Sequence, residues 1–183
     1  MLAHARSHAS GVNFVAGSAF DAALPSGVVA VTAVGEVVGY VADPRAGLDQ
    51  VDALAQRTAA ALAPGGILVL DVPTTGRAGP TGHQLKRVDL EGATTVTAAR
   101  ESADGTRLDR RIMVIRHGPD GSRRRTDEHH VLRLLDPHQV ATRLAATGLA
   151  VRRLDHYGAG DETISLPQGW AAFVARRTPP KPR

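Results

Sequence analysis

The 183-residue chain contains no cysteine. That excludes a disulfide framework, a thiolate metal site and a cysteine nucleophile. Aromatic residues make up only 3% of it, namely Phe14, Phe20, Phe173, Tyr40, Tyr157 and Trp170, while hydrophobic residues make up 43%. The core is therefore expected to be aliphatic. A single-stranded nucleic-acid surface needs stacking aromatics beside a contiguous basic face, and neither is in view. The net charge of +4 and the pI of 10.3 come from scattered arginines. Only Arg123-Arg124-Arg125 forms a run, and Arg176, Arg177, Lys181 and Arg183 sit in or beside a Pro-rich tail. No apolar stretch reaches the roughly 18 residues that span a bilayer. The longest, residues 27–41, is broken by Thr32, Gly35, Glu36 and Gly39. Residues 1–9 carry His4, Arg6 and His8 with no long apolar centre, so no secretory leader is read there. The expectation is one domain over residues 1–177 and a disordered tail at 178–183, in the cytoplasm, with neither nucleic acid nor membrane as partner.

What is present is clearest at residues 59–72. A helix ends at Ala61-Leu62-Ala63, the chain turns through Pro64-Gly65-Gly66, and residues 67–72 form a nearly continuous apolar run. Proline cannot continue a helix, paired glycines supply a left-handed turn, and an unbroken apolar run suits a strand covered on both faces. Ligands in such sheets bind just beyond the carboxyl ends of the strands, which directs attention to residues 71–75.

Upstream, residues 1–9 read as the end of a helix, residues 12–16 as a short strand with a loop at 17–21, and residues 28–34 as a second buried strand. Asp43-Pro44 has the form of a helix start, an N-cap carboxylate followed by proline at the first helical position. Leu48, Val51, Ala55, Thr58 and Leu62 then recur at helical spacing. Between residues 92 and 135 the period changes. Turn sequences at 103–105 and 118–121 separate three β-prone runs, 94–100, 108–116 and 124–134, as in an antiparallel meander. Asp136-Pro137-His138-Gln139 repeats the helix-start pattern with a capping-box glutamine, and Gly148 ends that helix. Residues 149–156 and 169–177 close the chain as two strands expected to pair at an antiparallel edge.

This order resembles the second half of a class I S-adenosylmethionine-dependent methyltransferase. Met1-Leu2 with Ala5-Arg6 looks like the helix after that fold's second strand, Gly17-Ser18-Ala19 like its adenine-side loop, and residues 33–40 like the loop after its fourth strand. Glu128-His129-His130 with Arg133-Leu134 is similar to the Glu-x-His segment of a small-molecule subgroup. The resemblance implies an α/β, Rossmann-like sheet, N-terminally incomplete, with an antiparallel β insert before the last helix. It implies methyl transfer from S-adenosylmethionine to oxygen or nitrogen of a small molecule, with a non-catalytic binding or dimerising relative of the fold as the alternative. The family's glycine-rich cofactor turn and the acidic residue that holds the ribose have no counterpart here. Two strand–helix units of roughly 30 residues each are missing from the pattern. Met1 is then expected to be an internal methionine of a longer protein, the other reading being a fold without half its cofactor site. A sheet edge left open by that loss is a template for a homodimer.

The resemblance places Gly17, Ser18 and Ala19 beside adenine, although Ser18 stands where an acidic residue often accepts from the amino group. It places Ala33, Val34 and Gly35 along the ribose and thioether. A plain strand-ending turn and a plain packing position are the competing readings. Glu128 and His130 lie two apart on a strand and share a face with Leu132 and Leu134. If that face looks into the pocket, His130 takes a proton from the methyl acceptor while Glu128 holds its tautomer. The competing reading is a structural pair pinning the insert to the core. Tyr157 reads either as a donor to the acceptor or as a strand cap. His129, His130 and His138 have no carboxylate at a recognised ligand spacing, so no metal is expected.

Overall fold

The computed structural model describes residues 2–159 and 162–179. Met1 and most of the expected tail, residues 180–183, lie outside the described residues. After a short exposed helix α1 (Leu2–His8), the central unit is strand β1 (Val28–Ala33), helix α2 (Leu48–Ala61) and strand β2 (Leu62–Pro73). β1 and β2 pair in parallel, as the helix-to-strand pattern at residues 59–72 requires. The register shifts between Val28 and Ala30 because residues 63–66 bulge out of the ladder, with Gly65 at φ +80°. α2 buries Val51, Leu54, Ala55, Thr58 and Ala61.

The helix does not start at Asp43-Pro44. Its N-cap is Gly47, without a side-chain cap. The Asp43 carboxylate instead takes the backbone N–H and guanidinium of Arg45 and the hydroxyl of Ser18, so the turn sequence serves a tertiary tie. Residues 12–16 are also not a strand: no ladder partner reaches them among the described residues, and Val12 and Val15 are exposed. A strand exists only when something pairs with it, and periodicity alone cannot supply the partner.

Strand β7 (Leu149–Leu154) and strand β10 (Trp170–Arg177) pair antiparallel, as expected. β10, however, is interior. It also pairs antiparallel with β2, giving the order β1-β2-β10-β7. Ala171, Ala172, Phe173 and Ala175 on β10 are buried accordingly. Between β7 and β10 lies a hairpin of β8 (His156–Ala159) and β9 (Glu162–Ser165), which the sequence pattern did not announce.

The insert is a separate four-stranded antiparallel sheet of β3 (His83–Leu90), β4 (Ala93–Glu101), β5 (Arg107–His117) and β6 (Arg123–Arg133). The meander was legible, but its first strand was not, because β3 is an exposed edge with no buried face to mark it. Helix α3 (Pro137–Ala146) follows, with the Asp136 carboxylate accepting from the His138 N–H. Gln139 donates to that carboxylate at 3.4 Å rather than reaching the N-cap N–H, so the capping box is only half made.

The aliphatic core runs through β1, β2, β10 and one face each of α2 and α3, with Phe20 and Phe173 as its aromatic members. A smaller cluster of Ala78, Ala99, Leu108, Leu132 and Leu134, with Tyr40 against it, lies between the insert and the body. Backbone bonds from Val41 to Val131 and from Leu135 to Pro73 seat the insert at the carboxyl ends of β1 and β2. No described helix is long and apolar enough to cross a membrane.

Candidate active site

Where β2 ends, its aspartate turns inward. Asp71 is only 2% exposed. Its carboxylate accepts from the N–H of Gly35 at 2.9 Å, the N–H of Glu36 at 2.7 Å and the hydroxyl of Tyr157 at 2.9 Å. The first two donors belong to the loop leaving β1, and the third to β8 just beyond the end of β7. Both β1 and β7 run in the direction of β2, so their carboxyl ends converge on this one acid. Burial, then the bond to Asp71, holds the Tyr157 phenol well above its usual range and keeps it a donor.

Glu36 adopts the left-handed conformation at φ 66° and ψ 23°, which a residue bearing a Cβ avoids by about 1–2 kcal/mol. Its neighbours hold it there. Asp71 fixes its N–H, and two guanidiniums grip its carboxylate, Arg77 at 2.7 Å and Arg110 at 3.0 Å. Arg77 lies on the loop after β2, with its guanidinium 4.7 Å from the centre of the Trp170 ring. Gly169, at φ +73°, lets β10 begin against the Arg77 backbone, where an added Cβ would collide. The Glu101 carboxylate accepts from the N–H groups of Gly76 and Ala78 on either side of Arg77.

Arg110 extends the network into the insert. Its second amino group donates to the Tyr40 hydroxyl at 2.9 Å, and the Tyr40 ring meets His130 edge-on at 5.5 Å. His130 lies directly across the ladder from Arg110 and shares a bond of 2.9 Å between Nε2 and Glu128 Oε2. An ionised carboxylate can only accept, so this bond assigns the proton to Nε2. Nδ1 is buried and without a protein partner.

The sequence-predicted residues therefore fall into three places. Tyr157 and the pair Glu128 and His130 stand at opposite ends of one network running through Asp71, Glu36, Arg110 and Tyr40. The structure gives the Tyr157 hydroxyl to Asp71 rather than leaving it free for an acceptor. Ala33 is buried, Val34 is half exposed, and Gly35 at φ +89° has open space where a side chain would be. These three close β1 beside the network. Gly17, Ser18 and Ala19 sit apart. Ser18 donates to Asp43 at 2.6 Å, and the Ala19 carbonyl accepts from Arg57. His129 faces away and meets Asp109 at 2.7 Å.

Sequence reasoning missed Glu36, Arg77 and Arg110. A signal existed for Arg110, which shares inward parity with Leu108 and Ile112 on an alternating strand. None existed for Arg77.

No protein-family model and no curated protein matches the chain. Solved structures do. An S-adenosylmethionine-dependent methyltransferase from Clostridium acetobutylicum superposes with a TM-score of 0.73 at 13% identity, over 97% of this chain and 69% of its own. CalS10, an amino pentose methyltransferase from Micromonospora echinaspora, gives 0.70 at 24% identity over 97% and 70%. KedS8, a sugar N-methyltransferase from a Streptoalloteichus species, gives 0.68 at 22% over 96% and 66%. The chain has the class I methyltransferase fold. It spans about 70% of the length of the first of these structures.

The network assigns an order of costs. Tyr157→Phe removes one bond to a charged acceptor and should destabilise by about 1.5–3 kcal/mol. Asp71→Ala strands three donors and should cost more than Tyr157→Phe. Urea unfolding checks this, and equal stability of all three proteins would contradict it.

Proposed function

We propose that this chain carries the acceptor side, and the end-of-β1 part of the cofactor side, of a site transferring a methyl group from S-adenosylmethionine to oxygen or nitrogen of a small molecule. The observation that carries the reading is the unpartnered Nδ1 of His130. It stands at the end of a network that begins at the loop expected to border the cofactor. When bound, S-adenosylmethionine supplies an activated methyl group on a sulfonium. Ala33, Val34 and Gly35 suit its ribose and thioether, because a small buried residue and a glycine with open space beside it allow close approach.

The chain's own task is orientation and removal of a proton. His130 Nδ1 takes the proton that the acceptor nitrogen or oxygen must lose, while Glu128 holds Nε2–H and stabilises the imidazolium that forms. Tyr40, tethered by Arg110, fixes the ring against rotation. Tyr157 acts indirectly, by holding Asp71 and through it the Gly35 loop. That similar solved structures include sugar and amino pentose methyltransferases supports a small polar acceptor.

The sequence contains no Gly-x-Gly-x-Gly turn to cradle the methionine end of the cofactor. Calorimetry with the 183-residue chain should therefore show weak binding of S-adenosylmethionine, and a low-micromolar Kd at one site per chain would contradict this. At saturating cofactor, His130→Ala should lower kcat by about 10²–10⁴-fold, the usual worth of a general base, with the cofactor's Kd unchanged. An unchanged kcat would return His130 to a structural role.

One observation favours the second reading, a dimerising relative of the fold. The outer edge of β1 has no ladder partner among the described residues, and Val29 on it is 76% exposed. β1 carries no lysine or proline to discourage pairing. Sedimentation at several concentrations should show self-association that Val29→Lys suppresses. A monomer of 19.2 kDa at all concentrations would rule this reading out.

A further inference from the structure

Beside the network, on the same face of the insert as His130, lies a cavity that the methyl-transfer reading does not use. It has a volume of about 190 Å³ and is walled by Arg77, Lys86 and Arg110 together with Gln84, Thr97, Ala99 and Leu108. A drug-sized ligand needs roughly 300–1,000 Å³, so this space admits one functional group rather than a whole molecule. Its wall holds three cations and no carboxylate. Glu36 meets Arg77 and Arg110, but one carboxylate serves both guanidiniums, and Lys86 makes no ion pair among the described residues. Arg110 Nε is buried without a partner. Three positive charges thus face the space against one negative charge among their ion-pair partners.

The register relates the cavity to the candidate base. His130 opposes Arg110, Arg110 opposes Ala99, and Ala99 opposes Gln84. One step along, Glu128, Ile112, Thr97 and Lys86 form the next row. Side chains two apart point to one face, so all of these share the face that carries His130. Strands lie about 4.8 Å apart, which sets β4 about 10 Å and β3 about 14 Å from His130 across the sheet.

We propose that this cavity is a subsite for an anionic group, a carboxylate or a phosphate, through which the methyl acceptor is held about 10–14 Å from the atom that reacts. The identity of the bound molecule as acceptor rests on the function proposed above. The anion site itself does not, because it needs neither cofactor nor turnover.

The test is a titration of the full chain, labelled with nitrogen-15 in its arginine side chains, with inorganic phosphate and separately with acetate. Chloride keeps the ionic strength constant. The Nε–H signals of Arg77 and Arg110 should shift saturably. Saturation by phosphate alone indicates a site for phosphate-bearing ligands, and saturation by acetate as well indicates a site that accepts carboxylates. Lys86→Gln should weaken binding about three- to tenfold, the effect of one charge at close range in partly screened surroundings. Glu36→Gln should strengthen it, since both guanidiniums lose their competing carboxylate. Lys86 is exposed, so its variant folds and decides the matter even if Glu36→Gln does not. Replacing Arg123, Arg124 and Arg125 together by Gln should leave binding unchanged. Shifts that rise linearly without saturation, that ignore Lys86→Gln, or that vanish with the triple replacement would overturn the proposal. An unchanged kcat in His130→Ala would count against the function above and leave this site standing.

Discussion

The geometry of this protein's carboxyl edge depends on one buried acid. Asp71 ends the most deeply buried strand and gathers donors from two segments far away in sequence, Gly35 with Glu36 and Tyr157. Without it, the buried N–H of Glu36 in the Gly35 loop would lose its acceptor, at about 1–3 kcal/mol for an unsatisfied group. With it, the loop is held in a left-handed bend that brings the Glu36 side chain toward the insert. A buried carboxylate thus converts the end of a strand into an organising centre.

Glu36 then adds a charged bridge between the two sheets. Arg77 arrives from the body and Arg110 from the insert, and both close on the same carboxylate. A buried ion pair is weak evidence for net stability, because desolvation offsets much of the attraction. Its value here is orientational. The backbone links at Val131 and Leu135 attach the insert, and the Glu36 bridge sets the face it presents. That face carries His130 into the space beyond β1. The strain at Glu36 and the unpartnered Arg110 Nε and His130 Nδ1 all occur at this junction, where a functional site is expected to depart from local preference.

Much of the scaffold was legible in the sequence, for identifiable reasons. The Pro64-Gly65-Gly66 turn, the helical spacing of Val51, Ala55 and Thr58, and the cap at Asp136 are local rules acting locally. The expected strand at residues 12–16 failed because strands need partners. The expected helix start at Asp43 failed because its carboxylate had a tertiary use in binding Ser18 and Arg45. β3 escaped notice because both its faces meet solvent. The shared face of Glu128 and His130 followed from their spacing, and the emphasis on residues 71–75 from strand direction. The centre that joins these parts was invisible, since Glu36, Arg77 and Arg110 are separated by as many as 74 residues and only the fold brings them together.

The account turns on whether the cofactor meets the chain at the end of β1, beside the Asp71 network. Weak binding does not prevent a direct answer, because amide chemical shifts report occupancy at millimolar ligand. Titration of the nitrogen-15-labelled chain with S-adenosylhomocysteine should move the amides of Val34, Gly35 and Glu36 first, and Asp71→Asn should abolish those shifts. Saturating ligand that leaves these three amides in place, or that moves a different surface, would contradict the account.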